Sequence, residues 1–167
     1  MQKEVVARVG DYQIRQCTSD DIEQVIDINS KTLPEHYSDH FYFEILAEFP
    51  ETFLVAELSG EVVGYIMCRI EYGFSHVRRL GLARKGHIVS VAVREEHRGK
   101  GIGGNLVISS EGEMGKKAVT ESYLEVRVSN TQAISLYEKL GYKTTGRLEA
   151  YYRDGEAALV MAAQVGQ

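Results

Sequence analysis

Apolar and polar residues alternate in "YQIRQC", Tyr12 to Cys17, with the two-residue period of a strand. The period then changes. In "TSDDIEQVIDINSKTL" the residues Ile22, Val25, Ile26 and Asn29 share one helical face, Thr18 or Ser19 stands at the N-cap position, and acids fill the first turn. Pro34 ends this helix, and "SDHFYFEILAEF" predicts a second one closed by Pro50. "TFLVAEL", the short Ser59-Gly60 turn and "EVVGYIMCRIE" predict an antiparallel hairpin. A basic, glycine-containing stretch follows as far as Gly86. Next comes the strand "HIVSVAV", which runs into the loop "VREEHRGKGIGGNLV". The helix "GNLVISSEGEMGKKA", the strand "SYLEVRV", the helix "TQAISLYEKLG" and the strand pair "YKTTGRLEAYY" and "AALVMAA" complete the chain. The order β-α-α-β-β-β-α-β-α-β-β predicts an α/β protein of mixed α+β topology, with an antiparallel first half and one crossover in the middle.

Composition narrows the class. A chain of 167 residues is long enough for one domain, expected to span residues 1–167, to bury a core without disulfides or a structural metal. A hydrophobic fraction of 44% with 26% charged residues excludes a disordered chain. The formal net charge of −5 argues against a non-specific nucleic-acid binder, and no direct nucleic-acid partner is expected. Cys17 and Cys68 each lie in an apolar, strand-like run and read as buried thiols in a reducing compartment. "MQKEVVARVGDY" carries charges throughout and no apolar signal region, and no later apolar run approaches bilayer length. A cytoplasmic protein without a membrane partner is the expectation.

Gly99, Gly101 and Gly104 spell G-x-G-x-x-G. A dinucleotide fold would need repeated βαβ units, the first glycine close to the strand and an acid at the end of the next strand. Here Arg94 to Arg98 intervene and Glu125 falls in mid-strand, so that fingerprint does not match. What the glycines do supply is a backbone free of Cβ atoms ahead of a helix N-terminus, a place that favours negative charge, with Arg98 and Lys100 adding to it. A diphosphate is the natural guest.

"RGKGIG", Arg98 to Gly103, matches the R/Q-x-x-G-x-G/A signature of the GNAT superfamily of acetyl-CoA-dependent N-acetyltransferases. "LEVRVSNTQAISLYEKLGY", Leu124 to Tyr142, resembles the second hallmark of that family, in the expected order and on the expected elements. "TLPEHY", "RKGHIVSVAV", "YLEVRVSN" and "YYRDGEAALVM" most resemble the archaeal protein N-terminal acetyltransferases of the NatA catalytic-subunit type. The resemblance spans almost the entire chain. It implies a single GNAT fold, a central mixed sheet flanked by helices, in which two central parallel strands splay and the pantetheine arm of acetyl-CoA pairs with the first as an added strand. Carried over, that edge is Val91, Ala92 and Val93. The diphosphate falls on Gly99, Gly101, Ile102, Gly103 and Gly104 with Arg98 and Lys100, and Asn130 and Lys139 complete the cofactor set. Asn130 also stands where a helix cap is needed. No metal is implied.

Acetyl transfer to an amine needs a base for the ammonium, a donor for the oxyanion and a proton for the thiolate. The resemblance assigns the last to Tyr137, which composition alone would place in a helix core beside Leu136 and Leu140. A backbone N–H near Val91 serves the oxyanion. Three residues are candidate bases: Glu35, in the loop after Pro34; His87, opening the central strand; and Glu125, a carboxylate between Leu124 and Val126 that is costly to bury without a task. If the two strands pair, His87 and Glu125 are expected to share a water. Two ligands leave a zinc site incomplete.

Tyr37, Tyr151 and Tyr152 resemble the family tyrosines that wall the groove for a peptide N-terminus, the last two also reading as a hairpin aromatic pair. The basic segment His76 to His87 reads as a solvated loop over the sheet, its sharper reading being a contact for a ribosome or an auxiliary subunit. The resemblance implies an enzyme that acetylates protein N-termini by direct transfer in a ternary complex. Glu35, in place of the larger residues that accept an initiator methionine, implies Ser, Ala or Thr N-termini. Two alternatives stay open: a GNAT enzyme acting on lysine side chains or small amines, and a non-catalytic acyl-CoA-binding scaffold.

Overall fold

The computed structural model describes residues 4–166. Met1 to Lys3, part of the segment inspected for a signal region, lie outside them. The chain runs β1 (Val5–Val9), β2 (Tyr12–Gln16), α1 (Ile22–Thr32), α2 (Asp39–Glu48), β3 (Phe53–Leu58), β4 (Glu61–Phe74), β5 (Leu82–Val93), α3 (Ile102–Lys116), β6 (Glu121–Arg127), α4 (Thr131–Lys139), β7 (Lys143–Leu148) and β8 (Ala158–Gln164). Strand order is β1-β2-β3-β4-β5-β6-β8-β7, and β5 and β6 pair in parallel, so the predicted mixed sheet and its central crossover form; β8, inserted between β6 and β7, makes the β6–β7 connection a second crossover beyond the one expected. No helix among the described residues is long and apolar enough to cross a membrane.

One strand and several element boundaries differ from those predicted. "YQIRQC" is the second strand, because Val5–Val9 folds back on it through a turn with Gly10 at φ 57°. This edge strand is only partly buried and shows no clean alternation for a periodicity reading to find. β5 starts at Leu82, so half of the supposed basic loop is strand. β7 stops at Leu148, which leaves Tyr151 and Tyr152 in the following loop rather than on a strand.

Two compact units make up the chain: Met1–Arg69 with Ile88–Glu113, and Ile70–His87 with Met114–Gln167. In the first, Ile22, Val25 and Ile28 of α1 and Tyr42 and Ile45 of α2 bury against Phe53, Val55, Val62, Tyr65 and Met67. Each such side chain contributes about 1.5–3 kcal/mol on leaving water. Of the predicted face, Ile22, Val25 and Asn29 are buried and Ile26 only half so, and Ile28, outside that prediction, is buried as well. α1 stops where Leu33 turns extended (φ −125°, ψ 144°) ahead of Pro34. The Ser59-Gly60 turn has positive φ at both residues, 51° and 86°, the hairpin geometry that reverses β3 into β4. Both cysteines are buried: the Cys17 thiol donates to Thr18 O at 3.4 Å, and burial pushes the Cys68 thiol up to about 12.

Arg15 stands in this unit only 2% exposed. Its guanidinium is bidentate to Asp21 at 2.7 and 2.9 Å and reaches Glu57 at 2.5 Å. Asp21 also accepts from Thr18 N at 2.8 Å, so the capping residue predicted from sequence and the ion pair are one structure. In the second unit, β6 lies between β5 and β8, and Met114 packs so closely on Gly86 of β5 that a Cβ there would collide with its Sδ.

Burial alone would raise the Asp21 pKa, but the Arg15 guanidinium and the Thr18 amide hold it below the usual carboxylate value. A depressed folded-state pKa gives stability that is complete above the unfolded value of about 3.9 and is lost as pH falls through the folded one. Asp21→Asn should therefore cost about 3 kcal/mol at neutral pH, since it removes the bidentate partner of a buried guanidinium and leaves it to Glu57. It should also flatten the acid limb of stability. Urea unfolding of both proteins from neutral to strongly acidic pH measures each effect, and parallel curves would show that Asp21 titrates alike in both states.

Candidate active site

The glycine loop is built by backbone angle rather than by space. After β5, a single 3-10 turn at Glu95–His97 brings the chain to Gly99 (φ 75°) and Gly101 (φ 82°), and α3 starts at Ile102. A Cβ at Gly99 would meet nothing within 4 Å and one at Gly101 only Asn105 Nδ2 at 3.5 Å. Glycine is required here because the left-handed conformation strains any other residue. Asn105 donates to Gly101 O from both its amide N, at 3.1 Å, and its Nδ2, at 2.7 Å, so the carbonyl turns into the helix. The first turn of α3 then presents N–H groups that have no intrahelical partner, and the helix dipole favours an anion there. The two cations are already oriented. Arg98 Nε donates to Val93 O at 3.1 Å, while Lys100 Nζ lies 3.4 Å from Tyr12 OH, which shares a 2.8 Å hydrogen bond with His97 Nδ1. These residues fit a diphosphate.

On β5, Val91 is half-buried and Ala92 and Val93 are buried. Arg94 fixes the strand end: its N donates to Val63 O at 2.8 Å, and its Nη1 to Asp27 Oδ2 at 2.8 Å. Tyr37 OH donates to Val89 O at 3.1 Å, and its ring stacks on Phe41. Glu35, two residues earlier in the same irregular loop, is half-buried, and its carbonyl accepts from Asn29 Nδ2 at 3.1 Å.

The second unit gathers more polar groups than the sequence suggested. β5 and β6 pair in register Lys85–Glu121, Gly86–Ser122 and His87–Tyr123. Cross-strand partners share a face, so the His87 ring stacks on Tyr123 at 4.4 Å and 3°. Glu125 lies two positions further along β6, and its Oε2 is 2.6 Å from His87 Nε2. The two meet directly rather than through a water. On the other side His87 Nδ1 is 3.3 Å from Glu71 Oε1, out of line for a hydrogen bond, and Glu71 Oε2 accepts from Tyr123 OH at 2.5 Å. A histidine between two carboxylates can take up and pass on a proton.

Further along the same strands, Glu121 is buried and accepts from Ser75 Oγ at 2.5 Å and His76 N at 2.6 Å. Lys85 is also buried, with Nζ 3.2 Å from His76 Nε2 and 4.9 Å over the Tyr123 ring. Burial, and then the Lys85 ammonium, hold the His76 pKa below the usual histidine value, against the pull of Glu121, Glu125 and Glu71. The segment read as a solvated loop is therefore solvated only in part: Arg78, Arg79, Leu80 and Arg84 are exposed, but Lys85 and His87 are not.

Glu71, His76, Lys85, Glu121 and Tyr123 were not singled out from sequence. A signal existed in the period-2 spacing of Lys85 with His87 and of Glu121, Tyr123 and Glu125, which puts each set on one strand face.

Asn130 caps α4, its Oδ1 accepting from Ala133 N at 3.2 Å. Tyr137 is the buried residue of that helix, its ring centroid 5.9 Å from that of Tyr142, whereas Leu136, expected beside it in the core, is exposed. Lys139 ends the helix at the surface. In the loop after β7, Tyr151 is exposed and packs edge-on to Tyr152, which lies under the Arg127 guanidinium at 4.1 Å. Arg127 also pairs with Asp154 at 2.8 Å and Glu156 at 2.9 Å, so this loop is stapled to β6.

The Acetyltransferase (GNAT) family profile matches residues 22–142. An N-alpha-acetyltransferase of Sulfurisphaera tokodaii is 50% identical over 155 residues, 92% of this chain and 93% of that protein. The N-terminal acetyltransferase A complex catalytic subunit NAA10 of Arabidopsis thaliana is 34% identical over 151 residues, 89% of this chain and 75% of that one. Ard1 from Thermoplasma volcanium superposes with a TM-score of 0.81 at 30% identity, covering 93% of this chain and 98% of its own. Arabidopsis thaliana Naa50, in complex with the bisubstrate analogue CoA-Ac-MVNAL, gives 0.79 at 26% identity, covering 92% and 98%. Sharing half its residues with the Sulfurisphaera protein over nearly the whole of both lengths, the chain belongs to the Acetyltransferase (GNAT) family, as its two motifs implied.

Proposed function

We propose that this enzyme transfers the acetyl group of acetyl-CoA to the α-amino group of protein N-termini, with Ser, Ala or Thr first, by direct transfer in a ternary complex. The observation that carries the reading is the turn at Gly99 and Gly101, which holds backbone N–H groups and two cations at the start of α3, directly after β5. The N-alpha-acetyltransferase relative and the CoA-peptide analogue bound by Naa50 support the choice of co-substrate and of amine. The family match from 22 to 142 draws on both compact units, which supports their working as one catalytic domain.

Acetyl-CoA supplies an activated thioester. The N–H groups of Gly99 to Gly104, with Arg98 and Lys100, hold its diphosphate, and Val91, Ala92 and Val93 offer main-chain groups to its pantetheine arm. Asn130 and Lys139 complete the cofactor set. Glu35, or His87 backed by Glu125, takes the proton from the incoming ammonium, leaving the lone pair that forms the C–N bond. A main-chain N–H near Val91 donates to the carbonyl oxygen as negative charge develops there. Tyr137 gives its hydroxyl proton to the sulfur as the C–S bond breaks, and the second proton of the former ammonium nitrogen, shed as the amide forms, restores the phenol. Tyr37, Tyr151 and Tyr152 border the peptide.

Peptides with a free Ser, Ala or Thr N-terminus should be acetylated in a CoA-release assay, and the same peptides blocked at the α-amine but carrying an internal lysine should react far more slowly. Equal rates would make this a lysine or general amine acetyltransferase; release from none would favour a scaffold.

Gly101→Asp places a carboxylate and a strained residue in the anion cradle. Acetyl-CoA affinity by calorimetry should fall at least about tenfold, one carboxylate opposing a phosphate at close range. An unchanged affinity would remove the turn from the cofactor site.

General-base help is worth about 10² to 10⁴ in rate. Glu35→Gln and His87→Gln should each lose part of that factor and the double variant more than either, with the acidic limb of the rate profile changing shape in His87→Gln. A double variant as active as the parent would show that neither residue is the base.

A further inference from the structure

Three buried polar groups of the first unit have no part in the chemistry assigned above. Asn29 of α1, Tyr65 of β4 and Ser90 of β5 are 2%, 0% and 7% exposed, among the apolar side chains of the core. They form a continuous chain. Asn29 Nδ2 is 3.1 Å from both Glu35 O and Tyr65 OH, and Tyr65 OH is 2.6 Å from Ser90 Oγ. The carbonyl of Glu35 can only accept, so the Asn29 atom facing it is the amide nitrogen, and that nitrogen has one more hydrogen for the phenol oxygen. The phenol and the Ser90 hydroxyl share the next hydrogen bond, in which either can donate. Burial pushes the Tyr65 pKa up, against hydrogen bonds with Ser90 and Asn29 that lower it.

Such a chain is a poor way to stabilise a core, because apolar groups of the same shape can replace a matched set at almost no cost. What it does is specify position. It starts on β5 and ends on the main chain of Glu35, in a loop that has neither helix nor strand to hold it. A second tie, Tyr37 OH to Val89 O at 3.1 Å, joins the same loop to the adjacent residue of β5. Both ties lead from this loop to one two-residue stretch of the strand.

We propose that Asn29, Tyr65 and Ser90 are positioning residues for Glu35: their hydrogen-bond chain fixes the Glu35 main chain against β5 and so sets where its carboxylate meets the amine. This rests on Glu35 acting as a base. Misplacing a reacting group by about an ångström can cost about a hundredfold in rate, and loss of the phenol hydroxyl releases the chain at its centre.

The test is a cycle of Tyr65→Phe, Glu35→Gln and the double variant in the full-length protein, read by steady-state kinetics on a Ser-terminated peptide with thermal unfolding alongside. Tyr65→Phe should lower kcat at least about tenfold, leave the KM for acetyl-CoA unchanged, and cost nothing further once Glu35 has been replaced, the signature of residues acting as a unit. Ser90→Thr, which keeps the hydroxyl, should retain the rate that Ser90→Ala loses. That serine pair gives the same cycle should Tyr65→Phe fold poorly. Equal losses from Tyr65→Phe in the parent and in the Glu35→Gln variant would overturn the positioning role alone. A Glu35→Gln variant with the parent rate would overturn the base reading and this inference with it.

Discussion

Polar groups on β5 that are cut off from water must find partners, and much of the chemistry-bearing structure follows from that requirement. An unpaired buried hydroxyl, ammonium or imidazole costs more than a well-made hydrogen bond returns. Lys85 meets it with His76 and the face of Tyr123, His87 with Glu125, and Ser90 with Tyr65. Each partner brings its own need in turn: Tyr123 requires Glu71, and Tyr65 requires Asn29. One strand thus dictates residue types on β4, β6 and α1, all far away in sequence.

The first unit shows a contrasting way of holding charge. Arg15, Asp21 and Glu57 satisfy one another, and the triad is joined to the cap of the turn that starts α1. The glycine turn does the reverse: Gly101 turns its carbonyl toward Asn105, and the helix N–H groups beyond it are left for an outside anion. Structural charge is closed on itself, while the place suited to a ligand keeps its donors open.

What could be read from sequence was whatever depends on near neighbours. The stop of α1 before Pro34, the Ser59-Gly60 reversal and the glycine turn are set by a few consecutive residues, and each formed where it was expected, while the Thr18 cap falls on the short turn at Ser19–Asp21 that leads into α1. The parallel crossover was legible because a helix separates the two strands. The His87 cluster was not, because Glu71, His87 and Glu125 come from three strands whose register no local pattern states. Tyr151 and Tyr152 were read as strand because aromatic pairs suit strands; their loop is fixed instead by Arg127 pairing with Asp154 and Glu156. β1 leaves no periodic signal, since an edge strand that is barely buried has little reason to alternate.

The two cysteines have a practical consequence at the bench. Both sulfurs are shielded in the folded chain, and burial keeps the Cys68 thiol protonated at any pH at which the protein would be handled. The thiolate is the form that attacks such reagents, so a chromogenic disulfide added to the native protein has no reactive sulfur to colour against. Liberated CoA would be counted on a blank baseline, continuously and without a separation step. Colour arising from the protein itself would then report the onset of unfolding, and a single cuvette would follow both turnover and integrity.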